Sequence, residues 1–305
     1  MTLPILGLHH VTSIGSDPRA NNHYFTETLG LRRVKKTVNF DRPDVYHLYF
    51  GTTRGAPGTL LTYFPFPGKS ARAPGSGEVG QTAFAVPPGS FETWAARLGN
   101  ARRTTRFGTP RLEFAGPDGE DLALVATTDS RAPWTGAGIA PDQAITGLHS
   151  VTLRLADGAA TAELLQLMNY RPEAQDGAVT RLRANGGNGG NGADIVDIET
   201  RPNLPGAHEG RGAVHHVAFA VADAAAQLAA RETLVAHGYK VTGVRDRSYF
   251  RAIYFRAPGG ILFEIATNDP GFAVDEPAAN LGTALKLPPQ HQALRSRLED
   301  TLPPL

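Results

Sequence analysis

Short stretches in which apolar and polar residues alternate punctuate this chain, and one order of such stretches recurs four times. Alternation with a period of two is the mark of a half-buried β-strand, whereas apolar residues three or four apart line one face of a helix. The first copy opens with "LHHVTSI" (8–14) and runs into "SDPRANNHYFTETLGL", where Asp17 can cap a helix, Pro18 suits its first turn and Gly30 can end it. The strand-like stretches "RRVKKTVNF" (32–40), "VYHLYFG" (45–51) and "TLLTYFPF" (59–66) follow, giving the order β-α-β-β-β. The second copy runs from "QTAFAV" (81–86) through a helix in "SFETWAARLG" to "RLEFAGPDGEDLALVAT". The third begins at "GLHSVTLRL" (147–155), has a helix around "GAATAELLQLMNY" and ends in the hairpin "VTRLRANGGNGGNGADIVDIE". The fourth begins at "VHHVAFAV" (214–221), has a helix around "DAAAQLAARETLVAHG" and closes with "RDRSYFRAIYFRAPGGILFEIAT".

Between the second and third copies lies "TDSRAPWTGAGIAPDQAI", whose Gly, Pro and polar residues suit a linker. The pattern predicts an α+β protein of four β-α-β-β-β modules: an N-terminal pair over 1–130, a C-terminal pair over 147–275, and a tail over 276–305. The run "NGGNGGNG" (185–192) reads as a hairpin loop, because Asn-Gly favours tight turns and a strand follows it, whereas a phosphate-cradling loop leads into a helix.

Composition narrows the chemistry. The 305 residues are 41% apolar and 19% charged with a net charge of +1, which gives no reason to expect nucleic acid as a partner. No apolar run approaches the roughly 20 residues that span a bilayer, and "MTLPILGLHH" lacks the basic start of a secretory signal, so no membrane partner is expected and the protein reads as cytoplasmic. With no cysteine, thiolate nucleophiles, iron–sulfur clusters and Cys-ligated zinc are excluded, and a metal would bind through nitrogen and oxygen. Exposed module edges make a homodimer an expectation.

The copies differ in their polar residues. His9 and His10 of the first match His215 and His216 of the fourth; the third has His149 and Ser150, the second Gly80 and Gln81. Aligned on their turns, the closing strands set Glu264 opposite Ala123 and Tyr63, so only the fourth copy carries a carboxylate there. The retained set is His10, His216 and Glu264. Two imidazoles and one carboxylate on one face of a metal leave positions open, an arrangement suited to non-haem Fe(II) enzymes. A glutamate in the apolar "ILFEIAT" also demands compensation, which a metal supplies. Taken singly, each histidine is better explained as a core or surface residue; it is their matching repeat positions, together with the carboxylate, that single them out. Strand alternation turns His9 and His215 away from the face of His10 and His216, unless a kink brings one back.

The opening "GLHHVT…YFTETLGLRRVKKTVNFD…YHLYFG…PGT", with "VHHVAFAV", "RDRSYFRAIYFRAPGGILFEIAT" and "LGTALKLPPQ", resembles the vicinal oxygen chelate superfamily over about residues 7–290. Within it the chain is similar to ring-cleaving dioxygenases of the hydroquinone 1,2-dioxygenase type. The resemblance implies modules paired into open barrel-like domains, with Fe(II), or Mn(II), in one cup. In catechol extradiol enzymes the first histidine ligand comes from the third module, where this chain has Ser150; in the hydroquinone type it comes from the first, matching His10, with His216 and Glu264 from the fourth. It also places Tyr254, Arg247, Thr12, His9 and His215 near a small aromatic substrate. Tyr254 lies on the strand expected to form a hairpin with that of Glu264, and Arg247 could neutralise a phenolate or a product carboxylate.

On this reading the protein opens a hydroquinone or catechol ring with O2, and His215, His9 or Tyr254 moves protons. Two rivals keep the fold: a glyoxalase-like isomerase or thiol transferase using Zn(II), Ni(II) or Mn(II), which would want a second carboxylate where Tyr63 aligns, and a cup that sequesters aromatic compounds without catalysis.

Overall fold

The computed structural model describes residues 2–185 and 193–305, so beyond Asn185 the Asn-Gly run lies outside the described residues. Module one comprises β1 (Leu8–Gly15), a helix (Pro18–His23) that widens into a π-helical turn (Tyr24–Thr28), β2 (Arg32–Val38), β3 (Tyr46–Gly51) and β4 (Leu60–Pro65). Asp17 caps the helix by accepting from the backbone N–H groups of Arg19 and Ala20, and Gly30, at φ +63°, ends it. The π turn was not legible in the sequence; Phe25 and Leu29 both reach the core from this segment. Module two has β5 (Glu78–Val86), a helix (Phe91–Leu98), β6 (Arg102–Arg106), β7 (Thr109–Ala115) and β8 (Asp121–Ala126). Module three has β9 (Gly147–Leu155), a helix (Ala159–Leu167), β10 (Tyr170–Asp176), β11 (Val179–Ala184) and β12 (Ile195–Thr200). Module four has β13 (Val214–Val221), a helix (Ala224–Ala236), β14 (Arg245–Asp246), β15 (Phe250–Arg256) and β16 (Leu262–Pro270).

In every module the opening strand runs parallel to the closing one, with the helix in the crossover, as parallel pairing requires. Opening strands then pair antiparallel with each other, β1 with β13 and β5 with β9. Two eight-stranded sheets result, ordered β14-β15-β16-β13-β1-β4-β3-β2 and β10-β11-β12-β9-β5-β8-β7-β6. The fold is therefore α+β, with two curled sheets. Each sequence half, 1–130 and 147–275, gives one module to each sheet: the first module joins the fourth, and the second joins the third. The apolar sides of sheets and helices merge into a cluster that includes Phe25, Leu61, Phe84, Leu124, Leu153 and Phe219.

The seams between opening strands are irregular at equivalent places. Leu8 faces Phe219 and His10 faces Ala218, so His9 is an extra residue in β1; Thr12 faces His216 and Ser13 faces Val214, so His215 is an extra residue in β13. Gly80 and His149 are the extra residues of β5 and β9. Each is a β-bulge, which re-aims the side chains beside it.

Register also corrects the alignment of closing strands. Two residues past His216, Ala218 faces Glu264; two past His10, Thr12 faces Thr62. Thr62, not Tyr63, is thus the counterpart of Glu264, because the "APGT" turn before β4 is one residue shorter than the "APGG" turn before β16. Tyr63 is buried in the apolar core instead. Ala123 keeps its assigned place opposite Ala83, but in module three the position is Asp197, opposite Thr152. The fourth module is not alone in carrying a carboxylate there.

Asp197 is fully buried and meets its cation inside the protein. Arg181, directly across the strand pair, donates to both its oxygens at 2.8 and 2.9 Å, and Arg106 approaches at 3.4 Å. The C-terminal segment closes the other sheet's edge: buried Lys35 of β2 pairs with Asp275 at 2.7 Å and Glu276 at 2.8 Å, Leu285 bridges to Lys36, and His291 contacts the Phe40 carbonyl. No helix among the described residues is long and apolar enough to cross a membrane.

Asp197→Asn leaves Arg181 and Arg106 without a buried counter-charge and is expected to cost about 3–5 kcal/mol of stability. A urea titration reads this as a lowered midpoint; an unshifted midpoint would show that the ion pair does not support the second sheet.

Candidate active site

The central strands of the first sheet put three ligand-type side chains together. His10 on β1 and His216 on β13 come from paired strands, and Glu264 on β16 from the strand beside β13. His216 Nε2 lies 3.0 Å and His10 Nε2 3.6 Å from a Glu264 carboxylate oxygen, and the two Nε2 atoms are 3.4 Å apart. One ligand atom from each residue lies within 4.8 Å of the others.

This set fits a metal ion. Both Glu264 oxygens are buried without a hydrogen bond, and among the described residues no lysine or arginine pairs with the carboxylate. Burial holds both histidines far below their ordinary pKa, His216 at about 3 and His10 well below 6.5, so the rings are neutral. Imidazole lone pairs crowded against a carboxylate lack a partner, and a cation between them supplies it. Nitrogen and oxygen donors in this combination suit a divalent first-row metal.

Hydrogen bonds fix the tautomers on one side. His9 Nε2 lies 3.2 Å from the Thr267 carbonyl, which can only accept, so Nε2 carries the proton of this neutral ring. His9 Nδ1 then accepts from His10 Nδ1, 2.9 Å away, which leaves His10 Nε2 as a lone pair aimed at the cluster. His215 and His216 repeat the Nδ1 contact at 2.8 Å. Were His216 to ligate through Nε2, its Nδ1 would donate to His215 Nδ1, and the proton of His215 would sit on Nε2.

His9 and His215 depart from simple strand alternation because each is a bulge residue, folded against its neighbour's ring (centroids 5.0 and 5.1 Å). Their outcomes differ. His215 lines a cavity of about 660 Å³ above the cluster, while His9 lies outside that lining, with Phe250 packed on it at 5.1 Å. Burial lowers both to a pKa of about 4.

Tyr254 faces Glu264 across the β15–β16 pair, accepts a hydrogen bond from Arg247 Nε at 3.1 Å, and lies in the cavity wall with Arg247. Burial, with the nearby Glu264 charge, raises its pKa. Arg247 is also 3.6 Å from Asp41 at the rim. Thr12 does not line the cavity: it bonds Thr62 at 2.8 Å, beneath the wall.

The sequence reading missed His47 and Tyr49, which line the cavity from β3. The signal was present in "VYHLYFG", whose alternation buries Tyr46, Leu48 and Phe50 on one side and turns His47 and Tyr49 to the other. Phe40, Phe64, Phe66 and Phe250 add aromatic wall, shaped for a flat apolar ligand with a polar end.

Known proteins are similar to this chain over its whole length. MhqE of Bacillus subtilis (strain 168), provisionally named a ring-cleaving dioxygenase, is 42% identical over 308 residues, covering 98% of this chain and 99% of its own. The chlorohydroquinone/hydroquinone 1,2-dioxygenase of Sphingobium indicum is 34% identical over 322 residues, covering 99% of this chain and 98% of its own. A crystal structure of a provisionally named dioxygenase from Bacillus subtilis subsp. subtilis str. 168 matches with a TM-score of 0.96 at 39% identity, covering 100% of this chain and 98% of that one. The glyoxalase/bleomycin resistance protein/dioxygenase pattern matches residues 7–265. With that pattern spanning most of its length, the chain belongs to the glyoxalase/bleomycin resistance protein/dioxygenase superfamily.

Proposed function

We propose that this protein is a dioxygenase that cleaves the aromatic ring of a hydroquinone or catechol with O2, using Fe(II), or alternatively Mn(II), held by His10, His216 and Glu264. The observation that carries this reading is the buried, unpaired Glu264 carboxylate facing two neutral imidazoles on the floor of an aromatic cavity. Similarity to ring-cleaving dioxygenases along the whole chain supports it. A metal bound there supplies a Lewis acid and a one-electron donor with positions free for a phenolate oxygen and O2.

The chain's own groups do the rest. The phenylalanine walls stack the ring and exclude water from it. Arg247 offers positive charge beside Tyr254, where a phenolate or a product carboxylate would lie. His215 is the proton carrier: it stays neutral near pH 7, and its Nε2, which has no protein partner among the described residues, would carry the proton and offer it to a substrate oxygen in the cavity. His9, tied to the Thr267 carbonyl, orients His10 instead. The isomerase reading lacks its fourth ligand, since Thr62 stands where a second carboxylate would serve and is bonded to Thr12 and His47.

The first test is O2 uptake by anaerobically Fe(II)-loaded protein offered a panel of hydroquinones and catechols. Iron-dependent uptake with a new ring-fission absorbance is expected; its absence across the panel, with metal tightly held, would refute the dioxygenase reading. Replacing His10, His216 or Glu264 with Ala should empty the folded protein of metal on elemental analysis. The two vicinal histidines separate: both alanine variants should weaken metal affinity by about 10–100-fold, since each loses the Nδ1 contact to a ligand-type histidine, but only His215→Ala should lower turnover of the metal-saturated protein, by about 10²–10⁴-fold. Identical behaviour of the pair would contradict their assigned roles.

A further inference from the structure

We propose that Tyr49, oriented by His47 and Thr62, holds the substrate oxygen that does not reach the metal ligands. This inference rests on the reading of the cavity as a diol site. Register makes Tyr49, opposite Thr62, the counterpart of Tyr254, opposite Glu264. The two phenols come from the two halves of one sheet, one module contributing each.

Their surroundings differ. The Tyr254 oxygen lies beside Glu264 and accepts from Arg247. Among the described residues the Tyr49 hydroxyl has one partner, His47 Nδ1 at 2.9 Å. His47 Nε2 is tied to Thr62 Oγ1 at 2.9 Å, and Thr62 to Thr12 at 2.8 Å. The imidazole packs between the rings of Tyr49 and Phe64, with centroids at 4.0 and 4.3 Å. On its other side Tyr49 meets the ring of Phe272 at 5.1 Å. The phenol is therefore fixed in place.

A phenol hydroxyl donates once and also accepts. Neutral His47 uses one of these capacities: either Nδ1–H donates to the Tyr49 oxygen while Thr62 donates to Nε2, or Tyr49 donates to Nδ1 while Nε2–H donates to Thr62. In both arrangements Tyr49 keeps a capacity that no described residue fills. It is 1% exposed and lines the cavity, so that remaining capacity is open to an oxygen of a ligand in the cavity. A diol with adjacent oxygens brings both to the triad, and Tyr49 has no part in holding it. A diol whose second oxygen lies elsewhere on the ring can reach from the triad to Tyr49.

The test is anaerobic calorimetric titration of the Fe(II)-loaded protein with hydroquinone, phenol and catechol, so that binding is read without turnover. Wild type is expected to bind hydroquinone about tenfold more tightly than phenol, the worth of one buried hydrogen bond. Tyr49→Phe should bring that ratio close to one and leave catechol affinity unchanged. Thr62→Val, which keeps the phenol but unties His47, should give an intermediate ratio. Both ligands are read on the same sample, so a loss of folded protein does not move the ratio. A wild-type ratio near one, or a ratio unchanged in both variants, overturns the role of Tyr49 and leaves the diol reading standing. Wild-type protein that binds none of the three ligands overturns the diol reading, and this inference with it.

Discussion

A carboxylate buried in a β-sheet has to be met by positive charge, and the two sheets of this protein satisfy that demand in different ways. In the second sheet Arg181 reaches across a strand pair and holds both oxygens of Asp197. In the first, the matching carboxylate of Glu264 faces two neutral imidazoles and the Tyr254 phenol, with no lysine or arginine among the described residues paired to it. One backbone plan thus yields a self-neutralised cup and a cup that calls for a cation from outside. The difference lies in one cross-strand position, occupied by Arg181 in module three and by Tyr254 in module four. An arginine fills the space and the charge, whereas a tyrosine leaves the charge to be met and offers a hydroxyl beside it.

The bulges explain why vicinal histidines occur at all. A regular strand would send one ring of each pair through the sheet into the apolar layer, where its nitrogens would go unsatisfied. The extra residue lets both rings stay on the polar side and bond through Nδ1. Module three keeps the bulge with His149 bonded to Ser150 at 3.0 Å, and module two keeps it with Gly80. The irregularity therefore belongs to the fold, and the histidines make use of it.

Much of this was legible beforehand, and for identifiable reasons. His10, His216 and Glu264 stood out because polar residues in apolar strands need a partner, and because internal repeats supplied copies without them. Caps such as Asp17 were readable because they depend on a few neighbouring residues. What escaped depended on contacts distant in sequence or on a single residue of length. Tyr63 was placed opposite Glu264 because the shorter turn before β4 hides a one-residue offset, and such an offset moves a side chain to the other face. Asp197 was overlooked because its strand follows the Asn-Gly run, which offers no turn to align. His47 and Tyr49 were visible as an alternating pair, but Thr62, which holds His47, and Thr12, which holds Thr62, lie on other strands.

The crossed pairing of modules also orders events as the chain is made. Modules two and three are consecutive, so their sheet can close once β12 has left the ribosome. The first sheet cannot: His10 must wait for His216, 206 residues later, and for Glu264 beyond that. Until then β1 has a free edge where β13 will dock, the kind of edge that invites wrong pairing. Closing so long a loop adds little entropy cost beyond that of a shorter one, but it makes the site a late product of synthesis. A nascent chain truncated before β16 would lack the carboxylate, so the cluster of His10, His216 and Glu264 is complete only after β16 has been made.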